Sequence, residues 1–172
     1  IGENWIAIQT DDAGDKLAEM DGSASDNFGN SNYSKPAIKN ATFIGKTDLS
    51  GLKFREETGV DWTNSIFVNV KEVKIDDEKG TTMIGTGHFT ESPKNWGMTG
   101  NVFETADESI IKGSAKVTNI DAIQTYIASQ NTFGVSTSVS QSNLVPVTEF
   151  STKGACVNGD WTTGWTKYSQ VK

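Results

Sequence analysis

Arginine, cysteine and histidine occur once each in these 172 residues, as Arg55, Cys156 and His88, and proline only three times. With one arginine and a net charge of −7, the chain lacks the clustered basic residues that phosphate binding needs, which argues against nucleic acid and against an anionic membrane surface. A sole histidine leaves no His pair for zinc and no supported Ser-His-Asp set. A single cysteine either buries as a small hydrophobe or pairs outside the chain. No run is long and apolar enough for a transmembrane helix, and the expected strands are too few and too weakly alternating for an outer-membrane barrel. Gly85-Thr86-Gly87 lacks the further glycine and the helix start that a phosphate loop requires.

What is present is a near-repeat. Lys39-Asn40-Ala41-Thr42-Phe43-Ile44-Gly45 returns as Thr63-Asn64-Ser65-Ile66-Phe67-Val68-Asn69, 24 residues later. Short β-branched and aromatic runs at this period, broken by Gly, Asn and Asp, suit one coil of a parallel β-helix. Strand alternation then puts Ala41, Phe43, Ser65 and Phe67 on one face and Thr42, Ile44, Ile66 and Val68 on the other. Phe43 should stack on Phe67. Asn40 should stack on Asn64 at a turn whose backbone asparagine tolerates. Leu52-Lys53-Phe54 forms the next face, with Lys53 outward, and Val73-Lys74-Ile75 repeats it 21 residues on. Asn4-Trp5-Ile6-Ala7-Ile8-Gln9 reads as a third Asn-led strand, and Asn101-Val102-Phe103 as the last.

The fold class expected is all-β, a right-handed parallel β-helix with long loop insertions and a C-terminal cap. It is one domain over 1–172, with coils to about residue 116 and an insertion at 11–35, then a short helix, loop and cap over 117–172. Ile120, Ile123, Tyr126 and Ile127 carry the helical spacing. Thr132 to Asn143 reads as a mobile loop or an edge ribbon. Trp161 and Trp165, four apart, either seal the core's end or stack on sugar rings. The chain opens at Ile1 with no leader-like segment, so it reads as a processed protein or a fragment. Its first strand would lie at an open end needing a cap, missing N-terminal coils or a partner chain, and self-assembly is one way to cover it.

Seven acids precede Asn27 (Glu3, Asp11, Asp12, Asp15, Glu19, Asp21, Asp26) against Lys16 alone. Asp11, Asp12, Asp15 and Asp21 are the carboxylates that could hold Ca²⁺, although their spacing matches no EF-hand and a solvated loop is the commoner use of such a cluster. Arg55, Glu56, Asp76 and Asp77, with Trp96, are the candidate binding residues; Arg55 beside Glu56 and Glu57, with Asp76 and Asp77 one coil on, is the only arginine-and-acid constellation.

Gly14-Asp15-Lys16-Leu17-Ala18-Glu19-Met20-Asp21, Leu52 to Gly59, and the ending Gly154-Ala155 with Asp160-Trp161-Thr162-Thr163-Gly164-Trp165-Thr166 resemble motifs of uncharacterised secreted or surface bacterial parallel β-helix proteins, Bacteroidetes-like in occurrence. Lys16 replaces the arginine of that pattern, Glu57 stands where a glycine is frequent, and 80–143 matches weakly. The resemblance implies the C-terminal part of a longer β-helix and carries no activity with it. The expected function is an extracellular or cell-surface structural or adhesive module binding glycan or protein. The alternative is a polysaccharide lyase or glycoside hydrolase with a groove on the Arg55 face. A flat face with paired charges favours the module; a cleft with converging acids favours the enzyme.

Overall fold

The structure is a computed structural model describing residues 2–10, 14–22, 34–46, 51–56, 58–76, 96–104, 107–114, 117 and 120–156. The described chain makes the same three-strand circuit four times. The first circuit is β1 (Gly2–Glu3), β2 (Ile6–Ile8) and β3 (Lys16–Asp21); the second is β4 (Ala37–Lys39), β5 (Thr42–Ile44) and β6 (Gly51–Arg55). The third is β7 (Val60–Thr63), β8 (Ile66–Val68) and β9 (Glu72–Asp76); the fourth is β10 (Trp96–Thr99), β11 (Val102–Phe103) and β12 (Ile111–Gly113). Helix α1 (Ile120–Gln130) and β13 (Thr132–Phe133) follow. First, second and third strands of each circuit build sheets A, B and C respectively, and β13 extends sheet B beyond β11. All pairings between these strands are parallel.

The registers follow the repeats. Phe43 pairs with Phe67 across β5 and β8, and Leu52, Lys53 and Phe54 pair with Val73, Lys74 and Ile75 across β6 and β9. Inward residues at matched positions stack: Phe43, Phe67, Phe103 and Phe133 form a ring ladder with centroids 5.1, 4.6 and 4.8 Å apart and planes within 9°. That spacing is the strand spacing itself, so the backbone pairing delivers the rings to stacking distance. Trp62, on sheet A, stacks on Phe43 at 5.2 Å and meets Phe54 edge-on at 5.5 Å, joining the three faces in one core.

The corners between sheets A and B need a left-handed residue. Asn4, Asn40 and Asn64 supply it at φ 57, 55 and 52°, and Gly100 does so at 67° in the fourth circuit. Asn40 Nδ2 donates to Asn4 Oδ1 at 3.4 Å. An L side chain in this region costs about 1–2 kcal/mol unless, as in asparagine, it can bond locally. Asn64→Ala is therefore expected to lower stability by about 1 kcal/mol and Asn64→Gly by much less, read from urea midpoints; equal losses would show that the side chain's contacts matter more than its backbone. Asn101, expected to lead the last strand, sits one place further along, opposite Ser65, because Gly100 has taken the corner.

Asn101 instead belongs to a second, inner ladder. Ser65 Oγ accepts from Ala41 N at 3.0 Å, Asn101 Oδ1 from Ser65 N at 2.8 Å, and Asn131 Oδ1 from Asn101 N at 2.9 Å. Asn101 Nδ2 donates to Trp62 O, and Asn131 Nδ2 makes the equivalent bond to Met98 O one circuit on. Their side-chain oxygens satisfy the corner N–H groups of Ala41, Ser65 and Asn101.

Two expectations from the sequence are corrected. The stretch 11–35, taken as an insertion, contains β3, whose Ala18 and Met20 match the inward Leu52 and Phe54; its acids hid a strand alternation. Sheet A was not foreseen, since its strands have two to four residues, too short for a period to show. Within residues 132–143, β13 is the edge strand of sheet B and contributes the last ring of the ladder, and Ser140 and Asn143 form an isolated antiparallel bridge. The following segment lies on the outer face of sheet B, where Val139, Leu144 and Cys156 pack on Ile44, Ile66 and Val68. Helix α1 packs against β10 and β12 and sends Ile123 and Ile127 into the core at this end. Trp161 and Trp165 lie outside the described residues.

The covering segment is pinned by two backbone N–H groups, Gly154 N donating to Asn64 O and Ala155 N to the Thr42 hydroxyl, both at 2.8 Å, and by Lys153 Nζ donating to Gly100 O. Burial pushes the Lys153 ammonium below its ordinary value of 10.5. The unfolded chain therefore binds more protons than the folded one between the lowered value and 10.5, so stability from this group rises as pH climbs through that window. Lys153→Met is expected to flatten that rise in urea midpoints measured from pH 8 upward; an unchanged slope would show that Lys153 carries no such penalty.

Candidate binding face on sheet C

The outward face of sheet C is built from two columns of charge. Because β3, β6, β9 and β12 are in register, Glu19, Lys53, Lys74 and Lys112 form one column and Asp21, Arg55 and Asp76 the other. Neighbours in a column sit one strand spacing apart, about 4.8 Å, so opposite charges meet and like charges repel. Arg55 Nε reaches Asp21 Oδ1 at 2.7 Å and Glu19 Oε1 at 3.1 Å, and its Nη2 donates to Asp21 Oδ2 at 2.9 Å. Lys53 lies 3.7 Å from Glu19, and Lys74 3.2 Å from Asp76. The forked Arg55–Asp21 contact fixes the guanidinium plane along the sheet.

The predicted residues divide accordingly. Arg55 and Asp76 are brought together as register partners. Glu56, at φ 53° in the turn after β6, is buried, and its backbone N–H donates to Asp76 O at 3.3 Å. Asp77 lies outside the described residues. Trp96 opens β10 on sheet A, a different face, and its side chain is not among those described. Asp11 and Asp12 also fall outside the description. Asp15 and Asp21 flank β3 at opposite ends, on the order of 15–20 Å of strand apart, so they cannot share one ion. Each is engaged elsewhere: Asp15 with Lys16 at 2.7 Å, a hydrogen bond that holds its carboxyl below the usual range, and Asp21 with Arg55. Among the described residues no three His, Cys, Asp or Glu side chains converge as a metal site.

Glu19 and Lys53 were the partners the sequence reading missed on this face. The signal was available in the period-2 run Ala18-Glu19-Met20-Asp21, whose acids fall opposite Lys53 and Arg55 once the strands are paired.

The face is flat. Asp21 and Asp76 lie two strand spacings apart, about 9.5 Å, a separation that would suit two carboxylates acting across a glycosidic bond, but Arg55 occupies the strand between them. A guanidinium gripped by two carboxylates keeps its charge and makes a poor base. A separate polar groove of about 620 Å³ lies at the far end of sheet B, where Lys46, Asn69, Ser140, Gln141 and Ser142 surround an apolar floor that includes Ile44 and Val68.

No helix among the described residues is long and apolar enough to cross a membrane. Compared with protein-family models, with curated proteins and with solved structures, the chain matches none, so the likeness drawn from its Asp160 to Thr166 ending rests on those motifs alone.

Proposed function

We propose that the three parallel sheets are the faces of a right-handed parallel β-helix that serves as an extracellular or bacterial cell-surface structural or adhesive module, binding glycan or protein along its sides. The observation that carries this reading is the Arg55 clamp: a cation held by Glu19 and Asp21 in a column of alternating charge along the sheet. Such a face offers fixed donors and acceptors to a polar polymer at the cost of little rearrangement. The Ser- and Gln-bearing groove beside sheet B adds hydroxyl and amide groups of the kind that meet sugars. Membership of the surface β-helix group suggested by the Gly14 to Asp21 and Asp160 to Thr166 motifs belongs to the same proposal.

A panel of acidic and neutral polysaccharides tests it. Retention of the protein on at least one, weakened several-fold by Arg55→Ala, with no new reducing ends or unsaturated sugars, is the expected result. Product release lost in Arg55→Ala would establish the lyase or hydrolase reading instead. Binding indifferent to Arg55 would remove sheet C from the site.

A further inference from the structure

In one outward column of sheet C a single acid, Glu19 on β3, is followed by three successive lysines, Lys53 on β6, Lys74 on β9 and Lys112 on β12. Lysines on paired strands stand about 4.8 Å apart, and like charges directly opposite one another work against the pairing that holds them. Acids relieve the first two: Lys53 lies 3.7 Å from Glu19, and Lys74 3.2 Å from Asp76. Lys112 is exposed, and no carboxylate among the described residues pairs with it. Side-chain exposure rises along the column, from 15% at Lys53 to 36% at Lys74. In a chain of net charge −7, the β9 and β12 end of this face is therefore a local run of accessible positive charge.

A second observation concerns the other end of the same face. On β3 the outward residues are Glu19 and Asp21, whose side chains are 41% and 49% exposed and keep carboxylate oxygens open to solvent beside their contacts with Arg55. The face thus sets a cation ladder next to exposed hydrogen-bond acceptors. A partner that complements both carries anionic groups and hydroxyl donors on the same chain. A polymer that is anionic throughout complements only the lysines and is repelled by Glu19 and Asp21.

We propose that the column of Lys53, Lys74 and Lys112 binds a linear polysaccharide bearing carboxylate or sulfate groups, laid across the strands of sheet C. The proposal rests on the module reading, in taking sheet C as the contact face, and deepens it by naming an anionic sugar chain as the partner. A 1,4-linked sugar chain advances by close to one strand spacing per ring, so the rings that face the sheet fall at whole multiples of the ladder step. Their anionic groups meet Lys74 and Lys112, and hydroxyls further along donate to Glu19 and Asp21. An extended acidic peptide presents its same-side groups about 6.6–6.8 Å apart, out of step with the ladder. The unbroken phosphates of a nucleic acid would run onto the acids of β3.

The test uses polygalacturonate and a sulfated galactan, each compared by calorimetric titration at low salt with its uncharged form, the methyl-esterified or the desulfated chain. Saturable binding of at least one charged chain is expected, at least tenfold tighter than its uncharged form and weakening as salt is raised. The tighter of the two identifies the anion. Lys112→Gln and Lys74→Gln should each weaken it at least threefold, whereas Lys39→Gln, exposed on sheet A, should leave it unchanged. No saturation by either chain, equal affinity for charged and uncharged forms, unaltered affinity in both lysine variants, or tighter binding of polyglutamate or single-stranded DNA would each overturn the proposal. Arg55-dependent retention on a neutral polysaccharide, with neither charged chain bound, would overturn it and leave the module reading standing. Lys112-dependent binding of a charged chain together with Arg55-dependent product release would support it and overturn the module reading.

Discussion

Phe67→Ala is expected to lower the unfolding free energy by about 3–5 kcal/mol, the range for removing a buried aromatic side chain. Phe67 is fully buried and stacks on Phe43, Phe103 and Trp62. Its loss leaves a void in the middle of a ladder, and backbone pairing on both sides prevents the neighbours from closing it. Stacked pairs contribute about 0.5–1.5 kcal/mol beyond their area, so Phe67→Leu, which keeps most of the volume, should still show a loss of that order. Phe133→Ala should cost less, because that ring stands at the ladder's end and is only partly buried. Chemical denaturation measures all three. For a domain of this size the Phe67→Ala loss corresponds to roughly 6–20 °C in melting temperature. A loss under about 1 kcal/mol would mean that the rings are not held in a rigid stack.

Asn101→Ala should be the second large effect, for a reason unrelated to apolar area. It leaves the buried N–H of Ser65 without its partner, at a cost of about 1–3 kcal/mol, and removes a further donor from the Trp62 carbonyl, which lies within the β7–β10 pairing. Asn101→Ser should recover part of the loss, since Ser65 does this work for Ala41 with a hydroxyl. Hydrogen exchange gives a local readout: the Ser65 amide should lose protection in Asn101→Ala far more than the amides of β6. An unchanged Ser65 amide would show that backbone or water takes over from the side chain.

The two cases differ in how legible they were. The Phe43–Phe67 pair follows from the 24-residue repeat, because a register of identical circuits must stack identical positions. Lys53 outward, with Leu52 and Phe54 inward, follows from alternation alone. The inner ladder has no such signature: Ser65, Asn101 and Asn131 are separated by 36 and 30 residues, since the later circuits carry segments of unequal length. Counting from Asn64 by type led to Asn101, whereas the corner needed a left-handed backbone that Gly100 meets more cheaply. At β3 the acids were read as a solvated loop although the same residues alternate with Leu17, Ala18 and Met20. Composition describes what faces water; it does not say whether the backbone behind it is paired.

On sheet C the sequence named Arg55 and Asp76 but could not place them on one face with Asp21, 34 residues from Arg55. That proximity depends on three strands aligning across intervening segments of different length. Glu56 shows the converse: it is next to Arg55 in the chain yet buried, at a left-handed turn position that follows β6.

The sequence by itself determined a β-rich chain of parallel strands, the Phe43–Phe67 stack and the direction of the β6 side chains. These depend on period and on steric preferences within a few residues, which are local. Tertiary structure decided the third sheet, the inner amide ladder, the pairing of Arg55 with Glu19 and Asp21, and the burial of the outer face of sheet B. Each of those needs groups from different circuits at hydrogen-bond or contact distance. Only closing the circuits, with their unequal intervening segments, sets which groups meet.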